Sequence, residues 1–263
     1  MEFNIGDLVT RKSYNNDTVF KIVDIVNDVA ILKGVTIRLC ADSEVTDLAM
    51  YNKDEKELIE SDNRNLEDIR NLIKLDRSEY FYLPGKILHI DGDKEYLNRC
   101  LKFYKEYNIL AYGIHAKESE VHQNIRKYLE DTNADIVVIT GHDSYNKKKG
   151  SIDDISAYKN SSNFIKSIKE ARKHEKSHEK LIIIAGACQS DYEELIRAGA
   201  NFASSPKRIN IHALDPAIIA TMIGLTDKGE DIDLIGILSK TKYGSDGLGG
   251  IKTKGMMYVG YPR

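Results

Sequence analysis

The chain has 263 residues, of which 41% are hydrophobic and 30% are charged. This length excludes a small disulfide-stapled protein, and this apolar content excludes an intrinsically disordered chain. Its 38 basic and 41 acidic residues give a formal net charge of −3, so charge provides no reason to expect nucleic acid or an anionic membrane as the main partner.

The three cysteines, Cys40, Cys100 and Cys188, stand at unrelated spacings. An odd number of cysteines argues against a disulfide framework and against a four-cysteine zinc site, and it favours a reducing compartment. The first residues lack the basic start and apolar core of a signal peptide, and no apolar run approaches the roughly 20 residues of a membrane helix. We therefore expect a soluble protein of the cell interior with no membrane partner.

Residues 1–50 contain short β-branched runs that Asn, Asp and Gly residues interrupt. Such runs lie at 19–23, 29–32 and 35–39. Short strands separated by turn residues are typical of small antiparallel barrels. The sequence therefore predicts an SH3-like β-barrel over residues 1–50.

The next stretch has a different composition. Half of the residues between 51 and 80 are charged, and Pro84 and Gly85 follow. A stretch with few apolar positions and so many charges is typical of a solvent-exposed helix or connector, and a Pro-Gly pair marks its end. The sequence therefore predicts a charged helical linker over residues 51–83.

Residues 84–263 alternate between short apolar runs and stretches with helical periodicity. The apolar runs lie at 87–90, 109–114, 136–139 and 181–185, and the helical stretches at 93–107, 119–131 and 155–175. Continuous apolar strands that alternate with helices predict a parallel sheet covered on both faces. We therefore expect a doubly wound α/β domain over 84–263, whose tail adds a helix led by Pro216, a helix near 231–239 and a strand near 256–259.

Two reactive side chains follow neighbouring apolar runs of this domain. His142 comes after the run at 136–139 and Cys188 after the run at 181–185, each preceded by small residues that permit a sharp turn. In open α/β sheets the functional groups collect beyond the carboxyl ends of the strands. The pattern therefore favours a Cys–His pair for nucleophilic catalysis over a buried, inert cysteine.

Two further features support this pair. Ser190 and Glu193 match a capping box, which would place Cys188 at a helix N-terminus, where the dipole favours the thiolate. His142 precedes Cys188 by 46 residues, close to the spacing of roughly 50 in caspase-like cysteine peptidases. That class commonly has glycine after its histidine, whereas here Gly141 precedes His142 and Asp143 follows it.

Three other histidines lie in or near strands. His89 lies within a strand, where a buried core histidine is the favoured interpretation. His115 ends a strand and either lines the same rim or has a structural role. His212 is retained as an alternative base for the cysteine.

Several blocks of the sequence are long enough to identify a family. They are LPGKILHIDGD at 83–93, ITGHDSY at 139–145, AGACQS at 185–190, IRAGANFASSP at 196–206, INIHALDP at 209–216 and GLGGI at 247–251, together with GDLV at 6–9 and RKSY at 11–14. On these blocks the chain resembles the YabG family of sporulation-specific peptidases. The resemblance spans nearly the whole chain and fades only in the linker.

The resemblance implies a cysteine endopeptidase that acts during endospore formation and cleaves after arginine. Its implied substrates are spore coat and cortex proteins and germination protease precursors. The implied location is the cytoplasm of the mother cell, in association with the forming coat. In this family the cysteine of the AGACQS block, here Cys188, is the nucleophile, and the histidine of the ITGHDSY block, here His142, is its partner.

The expected mechanism passes through an acyl-enzyme and requires no metal or cofactor. Cys188 attacks the scissile carbonyl, and His142 accepts the thiol proton and then protonates the leaving amine. The backbone N–H groups of Gly141 and Cys188 are the expected oxyanion donors. An arginine side chain requires a carboxylate in its pocket, and the sequence leaves three candidates, Asp143, Asp191 and Asp215.

Two alternatives remain at this point. Residues 186–190 differ by one residue from the Gly-x-Cys-x-Gly turn of class I glutamine amidotransferases. That class places its acid two residues after its histidine, whereas here Asp215 lies three residues after His212. The second alternative is a non-enzymatic scaffold for coat assembly. The oligomeric state is left open.

Overall fold

The computed structural model describes residues 3–58 and 80–261. The chain divides into two compact units after Leu72, so residues 3–58 belong to the first unit and residues 80–261 to the second. Residues 59–79 of the predicted linker lie outside the described residues. None of the described helices is both long enough and apolar enough to cross a membrane.

The first unit is a five-stranded antiparallel sheet with the strand order β4-β3-β2-β1-β5. The alternation of apolar and polar residues places one face of this sheet on a small core. Asn27 and Asp28 both have positive φ, which suits the tight turn between the second and third strands. The strands are β1 (Leu8–Arg11), β2 (Phe20–Val26), β3 (Val29–Gly34), β4 (Cys40–Glu44) and β5 (Leu48–Met50).

The second unit contains a six-stranded sheet with the order β8-β7-β9-β10-β11-β12. All neighbouring strands are parallel except β12, which is antiparallel to β11. The prediction of an α/β domain with a mostly parallel sheet is therefore confirmed. The strands are β7 (Ile87–Asp91), β8 (Ala111–His115), β9 (Ile136–Thr140), β10 (Ile182–Ala185), β11 (Phe202–Ser204) and β12 (Leu248–Gly250).

A two-stranded ribbon completes the strands of this unit. β6 (Phe81–Leu83) pairs antiparallel with β13 (Tyr258–Gly260). The first of these strands lies in residues that the composition assigns to the linker, and the second lies close to the strand predicted near 256–259. β6 has only three residues, too few to show a periodicity that could be recognised in sequence.

Seven helices occur among the described residues of the second unit. They are α1 (Lys94–Glu106), α2 (Glu118–Thr132), α3 (Ser161–His174), α4 (Tyr192–Arg197), α5 (Asp215–Gly224), α6 (Leu234–Ser239) and α7 (Gly244–Gly247). The helix predicted at 155–175 begins only at Ser161. Residues 155–157 form a 3₁₀ turn, and a β-bridge between Tyr145 and Tyr158 keeps the following backbone extended.

Helices cover both faces of the parallel sheet. α2 and α3 pack on each other and, with side chains such as Leu88, Val137 and Ile183, enclose the larger hydrophobic core. α5, which is buried along almost its whole length, contacts β9, β10 and α1. Because successive side chains of a strand point to opposite faces, this arrangement explains why every residue of β7, β9 and β10 is buried.

The strand order creates a switch point between β7 and β9. The chain passes from β7 to β8 on one side and then crosses back to β9 on the other side. Crevices at such points, outside the carboxyl ends of the strands, are the usual ligand sites of open α/β sheets. Here the residues that follow the two strands are 92–93 and 141–142.

Candidate active site

The turns that contain His142 and Cys188 follow two neighbouring parallel strands. β9 and β10 are parallel neighbours in which Ile139 pairs with Ala185, and each of the two reactive residues lies three positions beyond that pair. Neighbouring strands are about 4.8 Å apart. The fold therefore brings the two predicted turns to the same edge of the sheet.

The thiol of Cys188 is fully buried. Its Sγ accepts the backbone N–H of Ile211 at 3.3 Å and lies 3.8 Å from the Ile211 carbonyl oxygen. The next N–H, that of Gln189, donates to the carbonyl of Ile209. A loop of residues 205–211 thus packs along the cysteine turn, and its N–H group is placed to stabilise negative charge on the sulfur.

The predicted capping box beside Cys188 is wrong. The N-cap of α4 is Asp191, whose side chain accepts the N–H of Glu194, and the helix has only six residues. Ser190 instead accepts the N–H of Ala187 at 2.9 Å, within the cysteine turn. Cys188 therefore lies outside the first turn of a short helix, so the helix-dipole argument does not apply, and the N–H group that contacts the sulfur is that of Ile211.

The imidazole of His142 lies between two carboxylates. Its Nε2 is 3.7 Å from Asp93 Oδ2, and its Nδ1 is 3.9 Å from Glu118 Oε1. The backbone N–H of His142 donates to the same Glu118 oxygen at 2.8 Å. The side chain of His142 is 19% exposed, so these charges interact in a partly desolvated crevice.

Two glycines make room for the Glu118 carboxylate. A Cβ atom added at Gly92 or at Gly141 would clash with Glu118 Oε1. Gly92 and Gly141 follow β7 and β9, so the carboxylate lies at the switch point between those strands. This contact gives a physical reason for glycine before His142, the position at which the chain departs from caspase-like peptidases.

Asp143 connects the histidine turn to the cysteine turn. Its buried carboxylate accepts hydrogen bonds from Ser161 Oγ at 2.5 Å, from the Asn160 N–H at 2.7 Å and from Ser190 Oγ at 2.9 Å. Ser190 in turn accepts the N–H of Ala187. Burial raises the pKa of Asp143 despite these bonds. Its oxygens are engaged by the protein itself, which favours a positioning role over contact with a substrate arginine.

Asp191 already binds a guanidinium group from its own chain. Its Oδ1 lies 3.2 Å from Arg208 Nη2, and the same arginine contacts Glu193 and donates to the Tyr158 hydroxyl at 2.7 Å. The Arg208 side chain is only 10% exposed. A pair of carboxylates near the cysteine turn can therefore accept an arginine side chain.

Asp215 is buried at the start of α5. Its two oxygens accept the backbone N–H groups of His212 and Lys242, each at 3.0 Å, and burial raises its pKa. His212 is also buried, and its Nδ1 accepts the N–H of Leu214 at 3.2 Å. These contacts give Asp215 and His212 structural partners.

The remaining strand histidines have separate environments. His89 is fully buried, with Nδ1 2.8 Å from the Tyr104 hydroxyl and Nε2 3.5 Å from Asp91 Oδ2, so the prediction of a core histidine is confirmed. His115 is exposed at the rim, 3.3 Å from the carbonyl of Gly92.

Sequence reasoning missed two residues beside His142. Asp93 carries a recognisable signal only as the N-cap of α1, a role that its bonds to the Glu95 and Tyr96 N–H groups confirm. Glu118 is the first residue of α2, and nothing in its neighbourhood in sequence points towards a histidine 24 positions later.

Two comparisons with known proteins cover this region and the rest of the chain. The family model described as YabG peptidase U57 matches residues 4–262. The Sporulation-specific protease YabG of Bacillus subtilis (strain 168) is 44% identical over 286 residues, an alignment that covers 100% of this chain and 99% of the relative. Both matches include the histidine and cysteine turns.

Proposed function

This chain belongs to the YabG peptidase U57 family of sporulation proteases, and we propose that it cleaves peptide bonds with Cys188 as nucleophile and His142 as acid and base. The observation that carries this mechanism is the register of β9 and β10, which puts both residues three positions beyond one strand pair. Membership of a peptidase family also favours an enzyme over a coat scaffold.

The chemistry follows from the groups at the carboxyl edge of the sheet. Loop 205–211 covers the sulfur, so the substrate can enter only when that loop moves. The Cys188 proton then passes to His142, the thiolate attacks the scissile carbonyl, and the carbon–nitrogen bond breaks as His142 protonates the leaving amine. Water then hydrolyses the acyl-enzyme with His142 as base. The N–H groups of Gly141 and Cys188 are proposed to bind the oxyanion.

We further propose cleavage after arginine, with Asp191 as the acid of the specificity pocket and Glu193 beside it. This choice rests on the Arg208 guanidinium, which these two carboxylates already bind. Asp143 and Asp215 are less suitable, because both oxygens of each already accept hydrogen bonds within the protein, whereas Asp191 Oδ2 accepts none from the described residues. A substrate arginine would have to displace Arg208.

The proposed substrates are spore coat and cortex proteins and germination protease precursors, cleaved in the mother cell at the forming coat. The proposed architecture is an SH3-like barrel over 1–50, a charged linker over 51–83 and a caspase-like, doubly wound peptidase domain over 84–263. The strand order and the positions of His142 and Cys188 after the third and fourth of the successive parallel strands support the last of these.

The test is cleavage of an arginine-containing spore-protein precursor by purified wild type, His142→Ala and Cys188→Ala, with folding checked by circular dichroism. We expect each substitution to lower kcat by roughly 10³-fold or more. Cys40→Ala is the matched control, because Cys40 is exposed in the first unit, and it should leave cleavage unchanged.

Mass spectrometry of the products identifies the residue on the N-terminal side of each cut. Cleavage by folded Cys188→Ala would overturn the cysteine mechanism. Cuts after residues other than arginine would overturn the proposed specificity while leaving the mechanism intact.

A further inference from the structure

We infer that Asp93 and Glu118 are positioning residues that hold the His142 ring between two carboxylates and stabilise its protonated form. The inference rests on the proposed function, in which His142 carries a proton between the thiol and the leaving amine. It concerns how this histidine is prepared for that role.

Glu118 is fixed against His142 through two contacts. Its Oε1 accepts the backbone N–H of His142 at 2.8 Å and lies 3.9 Å from the Nδ1 of the same residue. The hydrogen bond ties the start of α2 to the turn after β9. The carboxylate therefore cannot move away from the imidazole without releasing that turn.

Two glycines leave the space that the Glu118 carboxylate occupies. Both Gly92 and Gly141 would place a side-chain carbon on Glu118 Oε1 if they were any other residue. Two glycines on different strand ends thus open one space, and a charged side chain fills it. A carboxylate exposed on the surface would not require glycine at the ends of two strands.

Asp93 is held from the opposite side by helix capping. One carboxylate oxygen, Oδ1, accepts the N–H groups of Glu95 and Tyr96 at 2.9 and 3.1 Å. This arrangement fixes the other oxygen, Oδ2, at 3.7 Å from His142 Nε2. The cap of α1 and the start of α2 therefore direct one carboxylate each towards the two nitrogens of a single ring.

The neighbouring titratable groups have other partners. Asp91, at the end of β7, faces His89 at 3.5 Å. The carboxylate of Asp143 accepts hydrogen bonds from Ser161 and Ser190. The Tyr96 ring lies against the His142 ring with its centroid 6.0 Å away and brings a hydroxyl but no charge.

The two carboxylates affect the step in which His142 accepts the proton of the Cys188 thiol. The sulfur–hydrogen bond breaks, a nitrogen–hydrogen bond forms, and the ring becomes an imidazolium opposite a thiolate. Two carboxylates within 4 Å of the ring nitrogens favour that charged ring over the neutral one. Both ring nitrogens face carboxylates in this conformation, so the transfer requires the ring to turn one nitrogen towards the sulfur while the other carboxylate holds the remaining N–H.

The experiment uses the full chain with Asp93→Asn, Glu118→Gln and the double substitution. Asparagine still caps a helix, and glutamine still accepts the His142 N–H, so the fold is retained while the charges are removed. Glu120→Gln is the matched control, since Glu120 is an exposed acid in the same first turn of α2.

The first readout is the NMR titration of the His142 ring, assigned by the signal that His142→Gln removes. We expect each single variant to lower the titration midpoint by about 0.5 to 1 pH unit, and the control to leave it unchanged. The second readout is cleavage: kcat should fall at least about tenfold with little change in KM, and the alkaline limb of kcat/KM should move to lower pH.

The outcomes separate this inference from the proposed function. An unchanged midpoint and unchanged kcat in both folded single variants would overturn the positioning role, even if Cys188→Ala is inactive. Cleavage by Cys188→Ala would instead overturn the cysteine mechanism, while the NMR titration would still report on the two acids.

A second variant covers the case in which Glu118→Gln does not fold. Gly92→Ala displaces the Glu118 carboxylate by its added methyl group and keeps the charge. It should lower the His142 midpoint in the same direction, and an unchanged midpoint would count against the inference.

Discussion

Asp143 shows how one buried side chain fixes two turns. It follows His142 in sequence and reaches the cysteine turn through Ser190. Its other hydrogen-bond donors come from the start of α3, so three segments meet on one carboxylate. Such a group affects the geometry of the site without touching the reacting atoms.

The raised pKa of Asp143 predicts a specific dependence of stability on pH. Because burial raises this pKa above its ordinary value of 3.8, the native state keeps the proton at a pH where the unfolded chain has lost it. The stability that the proton provides is therefore complete below pH 3.8 and is lost as pH rises through the raised value. Asp143→Asn should remove this loss.

The measurement is the free energy of unfolding from urea titrations at a series of pH values from about 4 upward. Wild type should lose stability relative to Asp143→Asn across that window. Asp153→Asn, at an exposed acid nearby, should follow wild type. If the free energies of unfolding of wild type and Asp143→Asn changed in parallel with pH, the raised pKa of Asp143 would be contradicted.

Some residues of the candidate site could be predicted from the sequence, and others could not. His142 and Cys188 could be predicted as candidates, because the ends of apolar strands leave a local pattern. The contact of Glu118 with His142 could not, since it depends on two glycines that the fold, rather than the sequence order, brings together. The partners of Asp143 are distant in sequence for the same reason.

At the scale of elements, the turn that carries Cys188 depends on Gly186. This glycine has φ +104, a conformation that other residues rarely adopt, and a Cβ there would lie 2.8 Å from Leu195 Cδ1. The turn can neither accept a side chain nor relax away from α4 without moving Cys188.

We expect Gly186→Ala to destabilise the protein by about 1 to 3 kcal/mol and to abolish most cleavage, because the thiol shifts with the turn. Thermal unfolding and the precursor assay measure the two effects. Gly6→Ala is the matched control: it has φ +99 but open space around it, so it carries the backbone strain without the loss of cleavage. Full activity of folded Gly186→Ala would contradict this prediction.

Long helices and strands were predicted from the sequence more accurately than short ones. The long helices and the four-to-five-residue buried strands carry strong periodicity or continuous apolar runs, and they occur near their predicted positions. β6, β11 and β12 have three residues each, too few for a period to register. The start of α3 was predicted six residues too early, because apolar spacing continues through a 3₁₀ turn that tertiary contacts hold open.

At the scale of the whole molecule, the three thiols have contrasting accessibility. Cys40 is exposed on an edge strand of the first unit, whereas Cys100 and Cys188 are buried in the second unit. Loop 205–211 packs against the fully buried Cys188, so we expect a reagent to reach the sulfur when that loop moves.

Iodoacetamide should therefore modify Cys40 first and Cys188 at least about tenfold more slowly under native conditions. Peptide mass spectrometry over time follows each site, and cleavage should decline with labelling of Cys188 and not with labelling of Cys40. In about 6 M urea both cysteines should react at similar rates. Equal native rates would show that loop 205–211 does not shield the thiol.

Burial of the Cys188 sulfur also affects how fast this residue is oxidised. Peroxides convert accessible thiolates first to sulfenic acid and then to irreversible acids, at rates that follow exposure. We expect an oxidant to attack exposed Cys40 before buried Cys188. We therefore expect the rate of Cys188 oxidation to follow the opening of loop 205–211 rather than the intrinsic reactivity of the thiol.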